Sequence, residues 1–381
     1  MPNLIDPVEL AEALIAVPSV TPATGAVFDV LEQALKPLGF TVHRFLRGDA
    51  PDGPVENLVA MRGEGAPHFG FAGHLDVVPS GEGWSGDPFV PRIEDGRMIG
   101  RGANDMKSAI AAFVAAIPQE QAQGTLSLLI TGDEEGPGAH GTVAIIDWLQ
   151  ERGIAPDCIL IGEPTSETVL GDTVKIGRRG SVNMWIEVPG VQGHVAYPHK
   201  ASNPIPALAR IVSTLEDWHL DDGNDAFPPS NLEFTEIAVP AGAANVIPGA
   251  AHARLNIRFN NLQRGADLVA HVTEVAEREG GTVRALISGE AFLTPPGLLF
   301  DLVVFAIREE VGVEPVLSTG GGTSDGRFLI KLCPVVDFGL PNATMHKLDE
   351  SAPLEDIRAL SRIYSRVIAK AFGSKNPSSR T

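Results

Sequence analysis

The sequence is poor in the features that would mark an unusual protein. It has two cysteines in 381 residues, Cys158 and Cys333, both inside apolar, strand-like runs. That excludes a disulfide framework, and the pair reads as small buried hydrophobes in a reducing compartment. Basic residues are also scarce: 29 Lys and Arg face 48 Asp and Glu, a formal charge of −19. Such a balance argues against nucleic acid or an anionic membrane as partner. No apolar stretch is long enough to span a bilayer. The N-terminus lacks both the basic and the apolar region of a signal peptide, so a cytoplasmic protein is expected. There is no internal repeat and no low-complexity tract. What remains is a composition of 44% hydrophobic and 20% charged residues, at a length that suits two or three domains with a large core.

Taken in order, the chain alternates strand and helix. Asp6-Pro7 offers an N-cap followed by proline at the first helical position, with Leu10, Leu14 and Ile15 on one face. A helix follows over 26–37, then strands near 40–46, 56–62 and 68–73. Glycines and prolines between 79 and 100 predict loop and turns. A helix from Lys107, a strand over 125–131, a helix over 140–152 and the strand Cys158–Ile161 complete the first region. This pattern indicates a three-layer α/β domain with a largely parallel sheet. From 180 the pattern changes. Val182, Met184, Ile186 and Val188 alternate with Ser181, Asn183, Trp185 and Glu187, and the predicted order becomes β-α-β-β-α-β, the ferredoxin-like plan. The expected organisation is 1–179 and 292–381 as one α/β domain, with 180–291 inserted as a ferredoxin-like α+β domain. The polar tail from Gly373 to Thr381 is expected to fray.

The chemistry concentrates where strands end. His74 and Asp76 are two residues apart, so in an extended strand they point to the same side. A carboxylate there can hold one ring N–H and leave the other nitrogen free for a cation. A lone histidine would read as a satisfied core residue, but Asp105, Glu134-Glu135, Glu163 and His346 also fall at strand or helix ends. Open α/β sheets place their sites there. Two imidazoles and at least three carboxylates, without thiolates, suit a catalytic rather than a structural zinc site. One carboxylate shared between two ions would make a two-metal hydrolytic centre. Adjacent Glu134 and Glu135 diverge, so one can bind metal while the other acts as general base.

These motifs resemble a known family. His-x-Asp, Gly-Arg-Gly-x-x-Asp-Met-Lys, Asp-Glu-Glu-Gly and Gly-Glu-Pro-Thr-Ser are similar to those of the dizinc amidohydrolases and exopeptidases that include aminoacylases and carboxypeptidases. Residues 175–181, 190–199, 321–328 and 341–347 resemble the branch that cleaves succinylated diaminopimelate, nearly end to end. The resemblance implies two zinc ions per subunit, for which cobalt can substitute. Asp105 would bridge them, His74 and Glu163 would complete one, and Glu135 and His346 the other. Asp76 would orient His74 and Glu134 would be the base. His194 would reach the active site of a second copy in a homodimer formed through the inserted domain, and stabilise the oxyanion. Arg178, Tyr197, Asn245, Arg258, Gly322, Thr323, Arg327 and Asn342 would contact the small-molecule substrate. The family also implies a cis peptide bond at Asn104–Asp105. The residues themselves favour an anionic substrate, because guanidinium groups on the polar face of 251–259 suit carboxylates. Arg254 on that face reads instead as a solvated surface cation. Sister amidohydrolases such as acetylornithine deacetylases and aminoacylases would share every metal ligand, and the motifs favour them over a metallo-carboxypeptidase. From a different class, Gly-Gly-Gly-Thr-Ser at 320–324 could cradle a nucleotide phosphate, although it lacks the Gly-Lys-Ser/Thr ending of a P-loop.

Overall fold

Asp6 caps the first helix, accepting a hydrogen bond from Val8 N at 2.8 Å, and Pro7 opens it. The computed structural model describes residues 5–120, 123–240 and 242–373. Met1 to Leu4 and the tail beyond Gly373 lie outside them, so the expectation of fraying falls on residues not described. In chain order the elements are α1 (Pro7–Ile15), α2 (Ala26–Leu35), β1 (Thr41–Arg47), β2 (Val55–Glu64), β3 (His68–His74), β4 (Arg92–Glu94), β5 (Arg97–Ile99), α3 (Lys107–Ala116), β6 (Gly124–Thr131), α4 (Thr142–Gln150), β7 (Cys158–Ile161) and β8 (Thr173–Lys175). Next come β9 (Gly177–Arg178), β10 (Gly180–Pro189), β11 (Gly193–His194), α5 (Pro204–Glu216), β12 (Asn231–Ala238), β13 (Val246–Ile247), β14 (Ala250–Phe259), α6 (Gly265–Arg278), β15 (Thr282–Gly289) and β16 (Phe292–Leu293). The chain closes with α7 (Leu298–Val311), β17 (Val316–Ser318), α8 (Gly326–Leu329), β18 (Val335–Asp337), β19 (Ser351–Pro353) and α9 (Leu354–Gly373).

Two units result. One takes in the chain up to Ile176, Thr294–Ser318 and the chain from Ser324 on; the other is Gly177–Leu293 with Thr319–Thr323. The sequence reading keeps that last loop with the first region. It groups with the second because Arg178 Nη1 donates to Gly322 O at 3.1 Å and Thr319 Oγ1 donates to Ala226 O at 2.5 Å.

The first unit is built on an eight-stranded sheet in the order β1-β2-β6-β3-β7-β18-β8-β17. It is more mixed than expected. Strands β6, β3, β7 and β18 are mutually parallel, as are β8 and β17, whereas β1-β2-β6 and β18-β8 run antiparallel. The short link between β1 and β2 allows only an antiparallel pair, since a parallel one needs a long crossover. All eight residues of β6 are buried, as expected of a strand covered on both faces. Leu126, Leu128 and Ile130 join the cluster that contains α1, α3 and α9, and α4 packs on β2 and β6. In α9, Ile357, Leu360, Tyr364, Val367, Ile368 and Ala371 form the apolar stripe of a 3.6-residue period. Phe71 and Phe113 stack at 4.0 Å, and the Tyr364 ring meets both near edge-on while its hydroxyl donates to Phe338 O at 2.7 Å. The segment expected to be all loop contains the β4–β5 hairpin. Asp95 and Gly96, both at positive φ (48° and 74°), form its two-residue turn, the Asp-Gly signal of a tight hairpin.

The second unit carries an antiparallel sheet in the order β12-β14-β10-β15, with the connectivity of the ferredoxin-like plan. Asn203 caps α5 by accepting from Ile205 N at 3.1 Å. Leu208, Ile211 and Leu215 of α5 and Leu268, Val272 and Val275 of α6 cluster with Val182, Met184, Ile186 and Val188. The other face carries Asn183, Asn256 and Arg258. Arg254 is exposed there and pairs with Glu236 at 3.5 Å, as a solvated surface cation would.

Candidate metal centre

The parallel strands of the first unit deliver the polar residues from one end. His74 is the last residue of β3, Glu134 and Glu135 follow β6, Glu163 follows β7, and His346 lies beyond β18. Asp105 sits in the turn that leads into α3. The two oxygens of Asp105 face different histidines: Oδ1 is 3.1 Å from His74 Nε2, and Oδ2 is 3.4 Å from His346 Nε2. Glu163 Oε1 stands 3.8 Å from His74 Nε2 and Glu135 Oε1 2.8 Å from His346 Nε2. Asp105 is thus the carboxylate between two imidazoles, each with a second carboxylate of its own. Glu134 lies close as well, with an oxygen within 4.8 Å of the donor atoms of His74 and Glu163.

Asp76 works differently from expectation. The Nδ1 of His74 pairs with the backbone carbonyl of Asp76 at 2.9 Å, while the Asp76 carboxylate stands 3.6 Å away. Its two oxygens accept instead from Glu134 N at 3.2 Å and Glu135 N at 2.9 Å. One residue therefore fixes the His74 tautomer through its main chain and aims both glutamates through its side chain. With Nδ1 engaged by that carbonyl, Nε2 is the ring nitrogen that faces Asp105 and Glu163. The cis peptide bond also differs in place: it is Asp105–Met106, one bond after the expected Asn104–Asp105. His346 adopts φ 59°, a left-handed conformation uncommon outside glycine and typical of constrained functional loops.

The electrostatics show concentrated negative charge. Burial works against an ionised Asp105, yet hydrogen bonds from His346 and His74 hold its carboxyl below the usual carboxylate range. Hydrogen bonds to Asp105 and Glu135 push His346 up to about 10. Burial alone would lower His74, but the Asp105 hydrogen bond and the charges of Asp105, Asp76 and Glu163 hold it well above its ordinary value. Burial, then the Asp325 charge, pushes Glu134 up to about 8. A pocket of carboxylates that draws protons onto two imidazoles is a pocket that favours cations. The donors are imidazole nitrogen and carboxylate oxygen only, the set that binds zinc in catalytic sites. The cluster fits a divalent metal.

The remaining expected residues fall into two groups. Arg327 belongs to the first unit, where Nη1 is 3.9 Å from Glu134 Oε1 and Nη2 3.9 Å from Asp325 Oδ1. It lies beside the expected base. Asn342 is also in the first unit, donating its backbone N–H to Ser166 O at 2.8 Å. The second unit holds the others. Val195 N donates to Asn245 O at 3.0 Å and Tyr197 N to His194 O at 2.8 Å, which gathers His194, Tyr197 and Asn245 in one exposed loop cluster. Arg178 is tied to Gly322, and Thr323 follows in the same loop. Burial, and then the charge of Arg179, lower the pKa of the half-buried Arg258. The 320–324 loop does not form a phosphate cradle: Ser324 Oγ donates to buried Asp337 Oδ2 at 2.8 Å, and α8 beyond it has four residues. Sequence reasoning gave no role to Arg101, Glu350 or Asp325. Arg101 stood inside a quoted motif, between two glycines, and that was the available signal.

The sequence pattern of peptidase family M20/M25/M40 matches residues 70–370. The chain belongs to this family. Every residue of the metal cluster lies within the matched span. The chain is 60% identical to the succinyl-diaminopimelate desuccinylase of Sphingopyxis alaskensis, over 98% of this chain and 100% of that relative. It is likewise 60% identical to the succinyl-diaminopimelate desuccinylase of Zymomonas mobilis, over 97% of this chain and 99% of that one. Among solved structures it is similar to a tripeptidase from Staphylococcus aureus, at a TM-score of 0.80 and 18% identity, covering 98% of this chain and 99% of that one. That last likeness concerns the fold alone.

Proposed function

We propose that this M20-family chain hydrolyses N-succinyl-LL-2,6-diaminopimelate to succinate and LL-2,6-diaminopimelate. The observation that carries the reading is the 60% identity, over essentially the whole length, to two succinyl-diaminopimelate desuccinylases. The geometry supports the same reaction class. His74, Asp105, Glu135, Glu163 and His346 would hold two zinc ions, with Asp105 between them. Such ions, when bound, acidify water and polarise a carbonyl oxygen. Glu134 takes the proton of the attacking water and returns it to the amine nitrogen as the C–N bond breaks, while the water oxygen joins the succinyl carbonyl carbon. Burial, and then the Asp325 charge, raise its carboxyl above the ordinary carboxylate range, which favours holding a proton between the two transfers. Asp76 keeps Glu134 aimed through its backbone N–H, and Arg327 places positive charge beside it.

The substrate carries three carboxylates and one ammonium. Arg178 and Arg258 supply cations for the carboxylates, with Tyr197, Asn245, Gly322, Thr323 and Asn342 completing the contacts. His194 donates to the developing oxyanion in the active site of a second copy, in a homodimer formed through the inserted unit. The cytoplasm suits the two buried free thiols.

The test compares initial rates of the zinc-loaded protein with N-succinyl-LL-diaminopimelate and with N-acetylornithine. A site whose buried polar groups hydrogen-bond part of the substrate rejects an analogue lacking that part by up to about 10⁴–10⁵-fold, so kcat/KM should favour the succinyl substrate by orders of magnitude. A chelator should abolish release of succinate. Equal or faster release of acetate, or succinate release that survives chelation, overturns the reading.

A further inference from the structure

We propose that the buried ion pair of Arg101 and Glu350 is the positioning device that holds the metal ligands in register. Neither residue belongs to the ligand set, and both are almost wholly buried, at 2% and 1% exposure. Arg101 Nη1 donates to Glu350 Oε2 at 2.8 Å. The same carboxylate accepts three backbone N–H groups of the turn that carries Asp105: Gly102 N at 3.1 Å on Oε2, and Asn104 N at 2.8 Å and Asp105 N at 2.9 Å on Oε1. Four donors fill the acceptor sites of one carboxylate. The Asp105 turn is thereby fixed at its own amide.

The guanidinium reaches the other segments. Its Nη2 donates to Ser80 O at 3.1 Å and Pro79 O at 3.4 Å, in the stretch that continues from His74 and Asp76. Its Nη1 also donates to Lys347 O at 3.3 Å, the residue after His346. One ion pair therefore bonds to the Asp105 amide, to the residue after His346, and to the chain five and six residues beyond His74. Two properties suit it to this task. A guanidinium is a planar fork whose donors have fixed directions, and a buried carboxylate bonded to main-chain N–H groups cannot shift without leaving them unpaired. Ligands for two ions must hold their mutual distances closely, so partners behind the ligands govern affinity.

The inference rests on the metal reading above, and its test separates the two. Glu350→Gln and Arg101→Lys are compared with wild type and with Glu56→Gln. Glu56 is a buried carboxylate of β2 that accepts from Arg44 Nε at 2.6 Å and Gly25 N at 2.6 Å, and it serves as a structural control. Circular dichroism establishes folding. Chelator competition gives the stoichiometry and the two dissociation constants for Zn²⁺, and the visible spectrum of the Co²⁺ form reports ligand geometry. We expect folded Glu350→Gln to bind at least one ion about 10–100-fold more weakly, with an altered Co²⁺ spectrum. Arg101→Lys should show a smaller shift in the same direction. Glu56→Gln should lose stability only, with wild-type constants and spectrum. If Glu350→Gln does not fold, Arg101→Lys decides alone. Wild-type constants and spectrum in the folded variants overturn the positioning role. A wild-type protein that binds no divalent ion overturns the metal reading instead.

Discussion

The residues at the strand ends of the first unit differ in kind from those in the His194 loop of the second. Asp76, Asp105 and His74 are at most 5% exposed, and each is held by several bonds: the His74 ring on both nitrogens, Asp76 on both oxygens, Asp105 at its amide and its carboxylate. His194 and Tyr197 are exposed; the His194 ring accepts from Ala196 N at 3.1 Å and meets the Tyr197 ring at 5.8 Å. Buried polar groups must be satisfied, so every bond around the first set is specified by the fold. Exposed loop residues are free to acquire partners that the single chain does not contain. The contrast separates residues that the fold itself holds in place from an exposed loop whose role is the one proposed above.

The contrast can be broken from the buried side with the largest effect. Asp105→Ala removes the carboxylate between the imidazoles. It should lose both zinc ions by elemental analysis and bring succinate release to background. Retention of two ions would show that Asp105 is not the shared ligand. On the exposed side, His194→Ala should leave metal content intact and lower turnover by about 10²–10³-fold, as for a donor to an oxyanion. Mixed and exchanged with Glu134→Gln subunits, it should regain activity, because one site of each hybrid dimer lacks neither group. A mixture that stays inactive after confirmed exchange places His194 in its own chain's site. The smallest effect belongs to the core beneath the centre. Tyr364→Phe deletes the hydroxyl that donates to Phe338 O and should cost about 1 kcal/mol in a denaturant titration, with kcat unchanged. A turnover defect there would mean that the core tunes the site.

Much of this was legible in the sequence, for a physical reason. Periodicity is local, so Val182 to Val188 and the buried strand ending at Thr131 declared themselves, and strand-end chemistry singled out His74, Asp105, the Glu134-Glu135 pair, Glu163 and His346. What escaped depends on the course of the main chain. Asp76 differs from expectation because its carbonyl, not its carboxylate, meets His74, and no side-chain pattern encodes that. Arg101 and Glu350 lie 249 residues apart, too far for any local pattern. Arg327 was assigned to substrate, yet it stands next to Glu134, a proximity that only the folded loop after β17 creates. The β4–β5 hairpin was missed although its Asp95-Gly96 signal was present, because the surrounding glycines and prolines read as loop.

The central claim is that the strand-end set divides its labour: five residues hold metal, and Glu134, aimed by Asp76, moves the proton. The most direct test is Glu134→Gln, with metal content and turnover measured on the same preparation. The substitution keeps the shape of the side chain and removes its basicity. The account predicts two zinc ions per chain, as in wild type, with succinate release reduced by about 10²–10⁴-fold. Loss of an ion would make Glu134 a ligand, and near-normal turnover with both ions present would place the base elsewhere.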